Sequence, residues 1–339
     1  MINELENLID ESQKILITAH IGPDADSLCS SLLLASTLRE NYAAKDIVVC
    51  MDEDYSPLAF LKDYSSIRFA PLADSVAKYQ PDLLIILDAN NIARCTRDPE
   101  PARNLVKEAG IKLLVIDHHE PVDIEVDALY INQKSPAVTQ DVYEICFKRL
   151  SLKKPDGYAQ TAMIGLYSDT GGFTYDNPRY ADTFKMATEL MNDGANTELA
   201  ANQLTQYTKD GLEVLEELIK NINQVNDYTY TYISDEFYSK WQEDDRSADA
   251  IHEGFDIFLH NFIRNIEGHS WGFTIYPDPK AKSKTYRVSL RSLQGLVDVS
   301  AIARQLGGGG HKSAAGAKIE CDSVEEALTK VKAAINSLK

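Results

Sequence analysis

At 339 residues the chain is too long for one compact core and is expected to fold as two domains. Its 34 basic and 52 acidic residues leave a net charge of −18, which disfavours tracking of long nucleic acid by counterion displacement and favours small substrates captured by local positive charge or metal. No apolar run approaches the roughly 18 residues of a membrane span, so no membrane partner is expected.

The opening MINELENLIDESQK is acidic and amphipathic, with Ile2, Leu5, Leu8 and Ile9 on one helical stripe. It lacks the basic start and apolar run of a secretory signal, and the expected compartment is the cytoplasm. A strand follows at 14–19, a loop, a helix over about 27–40, and strands near 47–51 and 83–87. A helix over 102–109 feeds a strand at 111–116, and helices are expected around 138–150 and 158–167. Strands separated by helices imply right-handed crossovers and a largely parallel sheet, so the first domain (1–196) is expected to be an α/β, parallel-sheet catalytic domain. From 181 to 225 the pattern is helical throughout, and 197–226 is read as a helical connector. The remainder, 227–339, alternates strand and helix: YTYTYI at 228–233, an amphipathic helix near 257–266, strands at 271–276 and 285–290, a short helix at 299–306, and a final strand and helix. This is expected to be a smaller α+β substrate-binding domain. Five cysteines (Cys29, Cys50, Cys95, Cys146, Cys321) are scattered without a CxxC pair and read as reduced thiols.

Four stretches of the first domain share one arrangement, an apolar run followed at once by acidic or imidazole groups. They are ITAHIGPDADS (His20, Asp24, Asp26), LLIILDANN (Asp88), LLVIDHHEP (Asp117, His118, His119) and GLYSDTGGF (Asp169). In an open parallel sheet the carboxyl ends of the strands lie along one edge, where such stretches converge. A single Asp after a strand is ordinarily a turn or cap residue; the agreement of four stretches carries the inference. Carboxylate and imidazole donors without thiolate suit manganese, with magnesium or cobalt as alternatives. Asp24 and Asp26, two apart on an extended loop, can serve two neighbouring divalent cations, and a pair of ions about 3.5–4 Å apart can bind both attacking and leaving oxygens of a phosphoryl displacement.

In the second domain, Gly307 to Gly310 followed by His311 and Lys312 give a backbone able to approach a ligand and turn amides toward an anion. Between 279 and 297 stand Lys280, Lys282, Lys284, Arg287 and Arg291 with no acidic residue; the three lysines read as a solvated face.

These motifs resemble the DHH phosphoesterase superfamily. HIGPDADS is similar to its first motif, LDANN to its second, the triplet Asp117-His118-His119 to the one that names it, and SDTGGFTYDN to its fourth. LGGGGHKSAAG (306–316) is similar to the DHH-associated C-terminal domain, so the resemblance spans essentially the whole chain. It implies that His20 and Asp24 hold one metal, that Asp26, His118 and Asp169 hold the other, and that Asp88 bridges both. It also implies that His119 faces the scissile phosphate, that Asp117 orients the ligands from behind, and that Arg291 grips a substrate phosphate, with Gly308, Gly309, Gly310 and His311 completing that pocket. Ala25 and Cys29 stand where the family often has glycine. The implied activity is that of compact bacterial enzymes that degrade very short oligoribonucleotides and dephosphorylate 3′-phosphoadenosine 5′-phosphate. A linear dinucleotide phosphodiesterase in cyclic-dinucleotide breakdown is the alternative within enzymes, ahead of an inorganic pyrophosphatase. A non-catalytic nucleotide- or RNA-binding module is the alternative outside them. Monomer and homodimer are both left open.

Overall fold

The computed structural model describes residues 2–338 apart from Val126, Asp176, Pro178, Lys280 and Lys282. Two of the lysines read as a solvated face therefore lie outside the described residues. The chain divides into two compact units, 1–206 and 207–339.

In the first unit, α1 (Ile2–Glu11) leads into β1 (Lys14–Ala19) and α2 (Ala25–Asn41). Next come β2 (Asp46–Met51), β3 (Arg68–Phe69), α3 (Leu72–Tyr79), β4 (Leu83–Leu87), α4 (Pro99–Glu108), β5 (Lys112–Ile116) and β6 (Ala128–Ile131). Then follow α5 (Val138–Tyr143), which continues as a wider helical turn over 144–149, α6 (Tyr158–Asp169), α7 (Tyr180–Asn192) and α8 (Thr197–Leu204). The six strands form one sheet in the order β3-β2-β1-β4-β5-β6, and every pairing is parallel. The expected α/β class and parallel sheet are thus observed.

Successive side chains of a strand point to opposite faces, and both faces here are covered by helices, which is why the strands read as unbroken apolar runs. Ile15, Ile17, Ile85, Leu87, Leu114 and Ile116 pack into one core with α2, α5 and α6. Leu16, Leu84, Ile86, Leu113 and Val115 pack into the other with α3 and α4. The strand order reverses direction between β1 and β4, and at such a switch point the flanking connections leave on opposite faces and open a crevice at the carboxyl ends of the strands. His20 follows β1 and Asp88 follows β4, so the topology alone puts both at this crevice.

The second unit contains α9 (Lys209–Lys220), β7 (Asn223–Val225), β8 (Tyr228–Tyr232), α10 (Asp235–Glu243), α11 (Ala248–Asn261), β9 (Trp271–Pro277) and β10 (Thr285–Ser292). It ends with α12 (Val299–Gln305), β11 (Gly309–Gly310), β12 (Ala314–Glu320) and α13 (Val324–Ser337). Its sheet runs β11-β12-β10-β9-β8-β7, antiparallel except for β8 and β9, whose parallel pairing requires the α10–α11 crossover. Trp271, Phe273, Tyr286 and Val288 form a core with α12 and α13. A second core gathers Val214, Leu218, Trp241, Ile251, Phe255 and Phe258 from α9, α10 and α11.

The segment expected as one helical connector, 197–226, is instead two helices and a strand: α8 belongs to the first unit, α9 and β7 to the second. Asn196 and Thr208 each cap a new helix start, which breaks the segment into separate helices. The helix expected at 257–266 sits earlier, at 248–261, where Ser247 caps it. Among the described residues no helix is long and apolar enough to cross a membrane. All five cysteines are buried and none is in a disulfide.

Candidate metal centre

Local structure delivers each ligand candidate to the crevice. His20 leaves the end of β1 and directs Nδ1 to the carbonyl of Ile21 at 2.9 Å. A carbonyl only accepts, so that contact keeps the proton on Nδ1 and leaves Nε2 for the crevice. Asp24 caps α2, accepting from the Ser27 amide at 2.9 Å through Oδ1, while the Ser27 hydroxyl accepts from the Asp24 amide at 3.0 Å. Its Oδ2 lies 3.7 Å from His20 Nε2. Asp26, in the first turn of the helix, is buried and accepts from the backbone amides of Val138 at 2.6 Å and Thr139 at 2.9 Å.

Asp88 takes a left-handed backbone (φ 55°) at the exit of β4 and donates its amide to Ile116, which points its side chain back over the sheet edge. Its Oδ2 is 3.5 Å from His20 Nε2, and its Oδ1 is 3.3 Å from His118 Nε2. His118 in turn stands 3.6 Å from Asp169 Oδ2. Asp169 comes from the last turn of a helix, α6, rather than from a strand end. It reaches the crevice because α6 packs closely on α2 at Gly165. A Cβ there would lie 2.2 Å from Thr139 Oγ1 and 2.9 Å from Cys29 Cβ. Cys29 is thus accommodated by the absence of a side chain on the facing helix, and Ala25 is buried beside the cap.

Asp117 is buried and does not face the ligand groups as a donor of its own. It accepts from the His118 amide at 2.9 Å and from His119 Nδ1 at 2.8 Å. The Tyr130 hydroxyl donates to its second oxygen at 3.4 Å, and Asn132 donates to the His119 carbonyl at 2.7 Å. His119 is consequently held through Nδ1, with its side chain 50% exposed, although Nδ1 is also 3.5 Å from Asp88 Oδ1. Tyr130 and Asn132 were not singled out from the sequence: they come from β6 and its exit, an edge strand whose half-exposed ALYI carries no strong periodic signal.

Three overlapping groups have donor atoms within 4.8 Å of one another: His20, Asp24 and Asp88; Asp26, His118 and Asp169; and Asp88, His118 and His119. The electrostatics are those of a cluster that lacks compensation. Burial, together with Asp26, Asp88 and Asp24, pushes the Asp169 carboxyl up to about 9. Burial and the Asp88 charge push Asp26 up to about 7. Burial disfavours charge on the imidazoles, yet Asp24 and Asp88 raise His20 to about 11, and Asp88, Asp26 and Asp169 raise His118 to about 10. Against its own burial, Asp88 is held well below the usual carboxylate range by His118 and His20.

Asp88 Oδ1 also tests whether the donors fit divalent cations. It is buried, and it has no hydrogen-bond partner among the described residues. An ionised oxygen left so is costly, and oxygen and imidazole donors are those that hard or borderline divalent cations take. The residues present fit such ions.

In the second unit Arg291 lies near the end of β10, opposite Gly272 and Ala314 on the neighbouring strands, and donates to the Leu290 carbonyl at 3.0 Å. The glycine run is largely structural. The amides of Gly307, Gly308 and His311 donate to Arg304, Ala303 and Ala314 at 3.1, 2.8 and 2.8 Å, so they are not turned outward to an anion as expected. Gly308 is required because a Cβ would lie 2.1 Å from the Gly316 carbonyl. Gly309, Gly310 and His311 remain exposed along that edge. Lys284 is exposed, as expected, and donates to the Asp322 carbonyl.

Known proteins resemble the chain over most of its length. The chain is 27% identical over 323 residues to the bifunctional oligoribonuclease and PAP phosphatase NrnA of Bacillus subtilis, covering 94% of this chain and 93% of that one. It is 26% identical to the protein of the same name from Mycoplasma pneumoniae, covering 94% and 91%. The crystal structure of an exopolyphosphatase-related protein from Bacteroides fragilis shares the fold, with a TM-score of 0.75 at 20% identity over 99% of this chain and 95% of that one. The model of the DHH family, N-terminal domain, matches residues 14–167, and that of the DHHA1 domain matches residues 246–337. The chain therefore carries a DHH N-terminal domain and a DHHA1 domain, and it is a hydrolase acting on phosphate esters.

Proposed function

We propose that this chain hydrolyses very short oligoribonucleotides to mononucleotides, and 3′-phosphoadenosine 5′-phosphate to AMP, at a centre for two divalent cations, most suitably manganese. The observation that carries the reading is the overlap of two ligand groups at buried Asp88, whose Oδ1 faces the His118 and His119 rings without a hydrogen bond among the described residues. In this reading His20 and Asp24 hold one ion, Asp26, His118 and Asp169 hold the other, and Asp88 serves both. When bound, the ions supply charge neutralisation on the phosphoryl oxygens and activation of water. The protein's own part is to hold the ligands: Ile21 and Ser135 carbonyls fix the imidazole tautomers, and the Val138 and Thr139 amides fix Asp26. Asp117 fixes the His119 ring, whose Nε2 is then the group offered to a substrate phosphate.

The names of the relatives support the substrate class, and the net charge of −18 supports short substrates over long strands. We assign the catalytic role to 1–196 and substrate binding to 227–339, where Arg291 and His311 would take a second phosphate, and we place the protein in the cytoplasm. The test is a turnover panel of short RNAs of graded length, linear dinucleotides and 3′-phosphoadenosine 5′-phosphate, each with and without manganese. Manganese-dependent release of mononucleotides from the shortest RNAs is expected. Binding without turnover of any of these compounds would refute the reading.

A further inference from the structure

Behind His118 and the Ser135 carbonyl lies a cluster of polar side chains that none of the assigned roles uses. His118 donates Nδ1 to the Ser135 carbonyl at 3.1 Å. The Ser135 hydroxyl donates to Asp141 Oδ1, and Gln133 Nε2 donates to the same oxygen at 3.1 Å. Asp141 is fully buried, and its Oδ2 has no hydrogen-bond partner among the described residues. Arg179 closes the cluster. Its Nη1 donates to the Ser135 hydroxyl and stands 3.7 Å from Asp141 Oδ1, and its Nη2 reaches both Glu144 oxygens at 2.7 and 2.9 Å.

Burying a carboxyl group beside a guanidinium contributes little to stability compared with an apolar filling of the same space, so its presence points to a need for fixed geometry. The geometry it fixes is specific. The short loop from Gln133 to Ala137 carries the Ser135 carbonyl that orients His118, and it runs directly into Val138 and Thr139, whose amides hold Asp26. Two ligands of one metal group thus hang on this loop. None of the hydrogen bonds of the cluster reaches His20, Asp24 or Asp88.

We propose that Asp141 and Arg179 are positioning residues for one of the two cation sites: they anchor the 133–137 loop so that His118 presents an unprotonated Nε2 and Asp26 stays in place. The proposal rests on the metal-centre reading given above. A neutral imidazole has one donor and one acceptor nitrogen, and a carbonyl at Nδ1 confines the proton there. Once the loop is released, His118 can change tautomer and rotate, and the site that contains Asp26, His118 and Asp169 loses its shape. The site built on His20 and Asp24 keeps its own supports, the Ile21 carbonyl and the α2 cap.

The test uses the full-length chain, stripped with chelator and titrated with Co2+ by calorimetry and visible absorption, with thermal unfolding recorded in parallel. Wild type is compared with Arg179→Gln, Arg179→Lys, Asp141→Asn and Ser135→Ala. In Arg179→Gln and Asp141→Asn one of two binding events should weaken by about 10- to 100-fold, the loss characteristic of removing a group that orients a ligand, while the other event stays within about twofold. Arg179→Lys should recover part of the loss, and Ser135→Ala, the mildest change, should show the same asymmetry. Two binding events identical to wild type would overturn the proposal, and so would equal weakening of both in step with the melting temperature. A wild-type chain that binds no Co2+ would refute the metal centre itself, an outcome distinct from either.

Discussion

Replacing Asp88 with asparagine challenges the shared-ligand arrangement most directly. The substitution preserves the volume of a side chain that is only 1% exposed, so the fold should persist. What it removes is one negative charge within 3.3 Å of His118 Nε2 and 3.5 Å of His20 Nε2, at the point common to two ligand groups. A pair of unit charges about 3.4 Å apart at an effective dielectric constant of about 20 is worth about 5 kcal/mol before desolvation. Removing one partner of a buried charged pair costs about 3–5 kcal/mol in practice. That range corresponds to about two to three and a half orders of magnitude in affinity. Isothermal titration of chelator-treated protein with Mn2+ should therefore show both binding events weakened in Asp88→Asn. Turnover of a labelled dinucleotide at saturating Mn2+ should fall by a comparable factor, several kcal/mol of barrier. The melting temperature under chelator should also fall, because the same charge faces His118 and His20 in the unloaded fold, so binding is compared at a temperature where both proteins are folded. An Asp88→Asn protein that binds two Mn2+ ions as wild type does, or keeps kcat within about tenfold, would refute the shared-ligand assignment.

Three further outcomes are expected. Asp169 and Asp26, raised to about 9 and 7, bind protons more tightly folded than unfolded, so they favour the fold less as pH climbs through those values. His20 and His118, raised to about 11 and 10, contribute stability that is complete below their ordinary pKa and is lost as pH rises toward the raised values. Both signs agree, so the chelated protein should melt lower as pH rises from about 5 to about 9, while Mn2+-loaded protein should not follow it down; parallel curves would count against the cluster as a cation site. Arg291→Ala should lower kcat/KM by about one to two orders of magnitude on short substrates carrying a second phosphate, since charge-assisted contacts are worth about 1.5–3 kcal/mol each. It should leave bis-p-nitrophenyl phosphate hydrolysis nearly unchanged, and equal loss on both would place Arg291 in the catalytic centre. Gly165→Ala forces a Cβ to within 2.9 Å of Cys29 Cβ, and overpacking of this kind costs about 1–3 kcal/mol. It should reduce metal affinity by moving α6, and Asp169 with it, off α2; unchanged Mn2+ binding would show that the helix contact does not set the ligand position.

The sequence by itself determined the elements whose physics is local. β1, β4 and β5 were legible because strands buried on both faces must be apolar throughout, and α2 was legible by its length. The ligand candidates were legible too, because four separate runs turn abruptly from apolar to acidic or imidazole, and their agreement outweighs the turn or cap role that each alone would suggest. Elements that are short or lie at an edge were missed: two-residue β3, edge strand β6, and the short helices α3 and α10. The run 197–226 misread as one helix because its polar, breaker-poor composition does not reveal where Asn196 and Thr208 restart the backbone. Only the tertiary structure decided that β1 lies between β2 and β4, which creates the crevice where His20 meets Asp88. It alone decided that Asp169 arrives from a helix packed through Gly165, that Asp117 fixes His119, and that Arg179 reaches back to the loop behind His118. These contacts join residues far apart in the chain through single hydrogen bonds and close approaches, and such pairings leave no periodicity for a sequence to display.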